Sequence, residues 1–241
     1  MITLALDTSH AVGSVALARD GVVLGEATFS APATHLVELA RAVERLLGEN
    51  GLTARDVSRV AVVLGPGSFT GVRIALAFAK GLAAAGVDVV GMDSLSLLAR
   101  PFFDEGRERV GAMIDAKRGE IYGAVYEREK ASATALAAVV SPRAESPGAF
   151  LDAIPAAPEV FVGTGAIAHG AEILARFPRA DLAPESRAFP STAYLASIGH
   201  LLPAFSRDAV RTLEPVYLRA SGAERKRLRS HAPAPESSHN D

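Results

Sequence analysis

The run Leu64-Gly65-Pro66-Gly67-Ser68-Phe69-Thr70-Gly71-Val72-Arg73-Ile74 carries residue types suited to receiving an anion. It follows the β-rich stretch Val60-Ala61-Val62-Val63 and leads into a small-residue helix over Val72 to Ala85. Gly65 and Gly67 permit positive φ or close backbone approach. Pro66 stiffens the turn between them. Ser68 or Thr70 can cap the helix and satisfy its free amides. Those amides and the helix dipole favour a phosphate. The spacing, however, departs from both standard nucleotide loops. Gly-x-Gly-x-x-Gly needs a glycine where Thr70 stands, and the P-loop needs a lysine where Val72 stands. On spacing alone, a turn followed by a capped helix accounts for the run, and another protein is as fit an occupant as an anion.

Four further groups have chemical potential. Asp7-Thr8-Ser9 ends the first apolar run. In a two-lobed fold it would bring a carboxylate and two hydroxyls to the cleft, where a magnesium–nucleotide could be held. By itself it makes an Asx-type turn. Gly163-Thr164-Gly165 lies at a second strand-to-helix junction, able to cradle a phosphate or face an adenine. Asp115-Ala116-Lys117-Arg118-Gly119-Glu120 places two acids and two bases on a hairpin tip, most simply as solvated turn residues. Arg225, Lys226, Arg227 and Arg229 form a basic cluster able to touch phosphates. The histidines are His10, His35, His169, His200, His231 and His239, and no pair has the His-x-x-x-His spacing that puts two imidazoles on one helix face. We therefore expect no metal site and no catalytic constellation.

Bulk properties narrow the field. The 241 residues suffice for one large domain or two lobes. A 49% hydrophobic content marks a globular chain. The net charge of −2 supplies no bulk attraction to nucleic acid. Tryptophan is absent and aromatics reach only 6%, which argues against a base-stacking platform. The absence of cysteine removes disulfide and thiol chemistry and fits a reducing cytoplasm. Neither a signal peptide nor a membrane span is expected.

The elements that position these groups read as an α/β pattern. Ile2–Leu6, Gly13–Ala18 and Val22–Phe29 are strands, the last two joined at Asp20-Gly21, a hairpin signal. His35–Leu47 is an amphipathic helix. Val57–Leu64 and Val87–Met92 are strands, and Ser94–Phe103 is a helix. The order βββαβαβα is that of a ribonuclease-H-like lobe. It then restarts: strands at Arg109–Ile114, Glu120–Tyr126 and Ala135–Val140, a strand at Val160–Val162, and helices at Ala166–Ala175 and Thr192–Phe205. Pro215-Val216-Tyr217-Leu218-Arg219 closes the ordered part. The expected layout is a first lobe over 1–105, a second over 106–219 and a disordered tail over 220–241.

The second helix asks for more cover than one sheet. At 100° per residue, Val72, Ile74, Ala75, Leu76, Phe78, Ala79 and Leu82 sweep an arc of ~200°. A helix lying on a sheet needs an apolar stripe about half that wide. Ala77, Gly81 and Ala84 occupy the rest and allow close helix approach, with only Arg73 and Lys80 charged. A protein–protein interface, or full cover by the first helix or the other lobe, would account for this.

The segment Gly65–Arg73, with Asp7-Thr8-Ser9, Asp115-Ala116-Lys117-Arg118-Gly119-Glu120-Ile121-Tyr122 and Pro215–Arg219, closely resembles the TsaB (YeaZ) family. The resemblance implies a two-lobed actin-like ATPase (ASKHA, ribonuclease-H-like) fold with mixed sheets flanked by helices. It implies a role in installing the threonylcarbamoyl group on adenosine 37 of tRNA. In that family the transfer is done by the paralogue TsaD, with TsaB as its non-catalytic partner and the ATPase TsaE joining them. Contact with tRNA would come through the complex, and homodimers use the same pairing surface. That surface is built on the first two long helices, which here implicates His35, Leu36, Leu39, Val43, Leu46, Ser68, Phe69, Val72, Arg73, Ala75, Leu76 and Ala79. No cofactor is implied beyond weak or interfacial ADP or ATP, for which Asp7, Thr8, Ser9, Gly163, Thr164 and Gly165 are the nucleotide-proximal candidates. TsaD holds its metal with a His-x-x-x-His pair, whereas Leu39 stands four residues after His35 here. Two rivals remain: a stand-alone ASKHA-fold ATPase or small-molecule kinase, and a tRNA-binding module acting through the tail.

Overall fold

The computed structural model describes residues 1–30, 35–129 and 136–219. The expected disordered tail and its basic cluster lie outside them, as does the side chain of His35. Two five-stranded sheets form the frame. The first holds β1 (Ile2–Asp7), β2 (Val12–Arg19), β3 (Val22–Ser30), β4 (Val57–Val63) and β5 (Asp88–Met92) in the order β3-β2-β1-β4-β5. The second holds β6 (Arg109–Lys117), β7 (Glu120–Arg128), β8 (Leu136–Glu145), β9 (Val160–Val162) and β10 (Asp181–Leu182) in the order β10-β9-β6-β7-β8.

Both sheets repeat one plan. An antiparallel three-strand meander leads, and its first strand pairs in parallel with the fourth. This duplicated ribonuclease-H-like topology is the expected actin-like ATPase fold. At the Asp20-Gly21 hairpin both residues have positive φ, 50° and 86°, as a two-residue turn matching strand twist requires.

The first sheet is covered on both faces, and residue size sorts the covers. Leu4, Leu6, Val60 and Val62 point to α1 (His35–Glu49) and α2 (Phe69–Ala84). The alternate positions Ala5, Ala16, Ala18 and Ala61 are small and admit α7 (Thr192–Ile198) on the opposite face. The second sheet packs one face on α3 (Ser94–Asp104), through Leu98, Phe102 and Phe103. Its other face packs on α4 (Pro147–Asp152), α5 (Thr164–Ala168) and α6 (Gly170–Arg176), through Phe150, Phe161 and Ile173. Helix α3 also sends Leu97 into the α7 side of the first core, so it belongs to both lobes.

Several elements differ from their sequence expectations, among them the strand expected over Ala135–Val140, which runs on to Glu145. The helix expected over Thr192–Phe205 stops at Ile198 and continues as a 3-10 turn, Gly199–Leu201. There Arg59 Nη1 donates to the carbonyls of Gly199, His200 and Leu202 at 3.0, 3.3 and 3.1 Å, holding the chain end in place of further helix. The helix expected over Ala166–Ala175 is two helices, α5 and α6, parted at His169 with φ −116° and ψ 23°. The second long helix starts earlier, at Phe69, because Ser68 accepts from the Gly71 amide as its N-cap. The chain after Pro190 also returns to the first lobe: α7 lies on β1–β3, and α8 (Arg207–Thr212) lies beside α2. Among the described residues no helix is long and apolar enough to cross a membrane.

Candidate functional site

Three segments distant in sequence meet at one cleft of about 500 Å³ between the lobes. Pro66, Gly67, Ser68 and Phe69 line it from the glycine loop, Asp115, Ala116 and Lys117 from the β6–β7 hairpin, and Val216 to Arg219 from the C-terminal strap. Ser9 and His10 add the turn after β1.

The glycine loop is locked to that turn. Thr8 Oγ1 donates to the Gly71 carbonyl at 2.6 Å and accepts from the Ala75 amide at 3.2 Å. The Ser68 amide donates to Ser9 O at 2.7 Å. A Cβ on Gly71 would sit 1.8 Å from the Thr8 carbonyl oxygen, so that glycine serves contact between two pieces of the same chain. Asp7 is 3% exposed and its Oδ1 accepts from the Ser9 amide at 2.7 Å. Asp7 and Thr8 lie behind the cleft wall, whereas Ser9 is part of it.

The second lobe repeats this construction. The Asp115 amide donates to Thr164 Oγ1 at 3.0 Å, tying the β6 end to the start of α5. Gly163 has φ 107°, and a Cβ there would lie 2.2 Å from Met113 O. Gly163 and Gly165 are buried against β6, and of this trio Thr164 alone reaches the cleft. The glycines at both strand-to-helix junctions are thus accounted for by intrachain contact.

Cleft charges come in pairs. Lys117 Nζ meets Asp115 Oδ2 at 2.7 Å, and Arg219 Nη1 pairs with Glu120. Burial pushes the Asp115 carboxyl up, but the Lys117 hydrogen bonds and charge outweigh it and hold the carboxyl below its ordinary value. His10 Nδ1 is 2.8 Å from Ser9 Oγ and 3.8 Å from Asp7 Oδ2. Its Nε2 is buried without a hydrogen-bond partner, and the ring meets Phe189 edge-on at 5.2 Å. At the rim, the Arg73 guanidinium stacks 3.8 Å from the Phe69 ring centroid, and its Nε donates to Tyr217 Oη at 2.8 Å. The Val216 amide donates to Leu64 O at 2.8 Å, anchoring the strap across the glycine loop. Among the described residues no three His, Asp or Glu side chains gather to hold a metal.

The pairing residues expected on the first two long helices divide sharply. Leu39, Val43 and Leu46 of α1 and Val72, Ala75, Leu76 and Ala79 of α2 are buried in this chain's own core, because both helices turn that face to the sheet. They offer no surface to a partner. Leu36, Ser68, Phe69 and Arg73 are exposed. So are Val37 and Ala40 on α1, and Ala77, Gly81 and Ala84 on α2. The ~200° apolar arc is therefore mostly intrachain, and the open stripe is the small-residue one. Sequence reasoning assigned no role to His10 or Phe189. It quoted Tyr217 and Arg219 only as parts of the closing motif, the one signal that pointed to them.

Residues 27–185 match the family model of TsaD, tRNA N6-adenosine threonylcarbamoyltransferase. The Haemophilus influenzae tRNA threonylcarbamoyladenosine biosynthesis protein TsaB is 31% identical over 90% of this chain and 92% of its own length. The proteins of the same name from Escherichia coli and Bacillus subtilis are 39% and 34% identical, but the match spans just over half their length, 57% and 56%. Among solved structures, YeaZ from Pseudomonas aeruginosa superposes with a TM-score of 0.69 at 29% identity, covering 90% of this chain and 99% of that one. A second Pseudomonas aeruginosa structure, described as similar to peptidase YEAZ, gives 0.70 at 30% identity over the same shares.

Proposed function

The chain belongs to the TsaB (YeaZ) family, and on that premise we propose that it is the non-catalytic partner of TsaD in making threonylcarbamoyladenosine at position 37 of tRNA. The observation that carries the pairing role is the open face of two neighbouring helices. Leu36 and Val37 are 55% and 49% exposed on α1, and α2, which packs against α1, exposes the small residues Ala77, Gly81 and Ala84. Covering each large aliphatic side chain would contribute about 1.5–3 kcal/mol. The small residues let a partner helix approach closely. The same face is open to a second copy of the chain.

The cleft supports an accessory role over a catalytic one. Its two strand-to-helix glycine junctions are filled by the chain's own carbonyls. The carboxylate a magnesium–nucleotide would need, Asp7, is 3% exposed and outside the lining. On this reading ADP or ATP binds weakly or at the subunit junction, TsaE joins the pair, tRNA is met through the complex, and the setting is the cytoplasm. The stand-alone ATPase or kinase has less support for the same reason. The test is reconstitution with purified TsaD and TsaE. Modification of tRNA should require this chain, and the chain alone should transfer nothing. Equal modification without it would reject the role.

A further inference from the structure

A second concavity, of about 590 Å³, lies toward the other end of α2 from the cleft, and its lining shares only Ala84 with the open stripe named above. Ala83, Val87 and Phe205, all partly exposed, give it apolar walls. Lys80, Arg207 and Arg211 stand around it. Lys80 Nζ donates to the Arg211 carbonyl at 3.2 Å, so the α2 cation is tied to α8. Among the described residues none of these three cations makes an ion pair, and neither guanidinium is hydrogen-bonded. The one carboxylate in the lining, Asp88, faces Arg59 Nη2 at 3.4 Å.

Among the described residues three cations thus surround an apolar wall with no carboxylate paired to them, in a chain whose net charge is −2. Like charges held close repel unless an anion joins them. Guanidinium groups favour planar oxyanions such as carboxylate or phosphate, which they can grip with two hydrogen bonds. A run of phosphates on nucleic acid would use the cations and leave the apolar wall idle. The volume falls in the range of small-ligand sites. We propose that this concavity binds a small amphiphilic anion, an aliphatic or aromatic body bearing one carboxylate or phosphate. Its head lies between Arg207 and Arg211, and its body lies on Ala83, Val87 and Phe205.

The test uses the full purified chain with 8-anilinonaphthalene-1-sulfonate as the fluorescent probe, and octanoate and octyl phosphate as competitors. One saturable site is expected, weakened by added salt. Both competitors should displace the probe, whereas acetate and inorganic phosphate, which lack the apolar body, should not. The double variant Arg207→Glu/Arg211→Glu changes exposed side chains and should keep its circular dichroism and melting temperature while binding at least about tenfold more weakly. Ala84→Trp, an exposed change that fills the cavity mouth and leaves the charges, should weaken binding as much. Unchanged affinity in either variant would overturn the proposal, as would absence of a saturable site. Displacement by oligo-glutamate or tRNA but not by octanoate would also overturn it, assigning the surface to a macromolecule.

Discussion

Thr8 and Gly71 meet with no room between them: the Thr8 hydroxyl donates to the Gly71 carbonyl at 2.6 Å, and a Cβ on Gly71 would lie 1.8 Å from the Thr8 carbonyl oxygen. Gly71→Ala therefore forces two backbone segments apart. We expect a loss of about 3 kcal/mol or more, read as a lower urea midpoint. Thr8→Val removes the hydroxyl that bonds both the Gly71 carbonyl and the Ala75 amide and should cost about 1–3 kcal/mol. A Gly71→Ala protein as stable as the parent would mean that the contact is not close.

Burial follows the apolar arc of α2 and separates an alanine inside it from one outside it. Ala75 is fully buried, and Ala77 two residues on is exposed. Ala75→Arg puts an unpaired charge in the core and should prevent folding. Ala77→Arg should melt within about 0.5 kcal/mol of the parent yet weaken capture of TsaD at least about tenfold. A folded Ala77→Arg protein that co-purifies with TsaD undiminished would remove this stripe from the interface.

The Asp115 carboxyl, held below its ordinary value of 3.8 mainly against burial by its Lys117 contacts, gives a signed pH effect. A depressed carboxyl contributes stability that is present above 3.8 and is lost as pH falls through the lower folded value. Lys117→Met should raise the Asp115 titration midpoint, followed by side-chain carboxyl NMR. It should also move acid unfolding to higher pH. A midpoint that stays put would show that Lys117 does not set it.

Gly163 offers a discriminating case, with φ 107° and a Cβ position 2.2 Å from Met113 O. Gly163→Ala should destabilise by about 2–3 kcal/mol. If this glycine serves packing, the deficit is the same with and without saturating magnesium–ATP. A nucleotide that stabilises the parent but not the variant would give the glycine a binding role.

Much of the frame was legible because its signals are local. Alternating apolar runs and Asp20-Gly21 announce the meander that opens the first lobe. Ser68 was one of two caps the loop offered, and it is the one used, so α2 starts at Phe69 rather than Val72. The second lobe was legible as a repeated element order, though not as repeated sequence. The end of α7 also had local signals, Gly199 and Pro203, which the expected helix to Phe205 ran through. What was not legible is that Arg59, well over a hundred residues earlier, collects the carbonyls of Gly199, His200 and Leu202. Likewise nothing in the local pattern says that the chain after Pro190 returns to the first sheet. The alanines that admit α7 look like ordinary strand residues until the helix lies on them.

Sequence by itself determined the α/β order, the family and the motifs, because each depends on residue type and spacing along the chain. Tertiary structure alone decided what those motifs face. It turned the glycines inward onto the carbonyls of Thr8 and Met113, brought Arg73 beside Tyr217, and split one apolar arc into core and open surface. The physical reason is that periodicity specifies which residues share a helix face, whereas burial depends on which other segment arrives there. That is a long-range contact which no local pattern encodes.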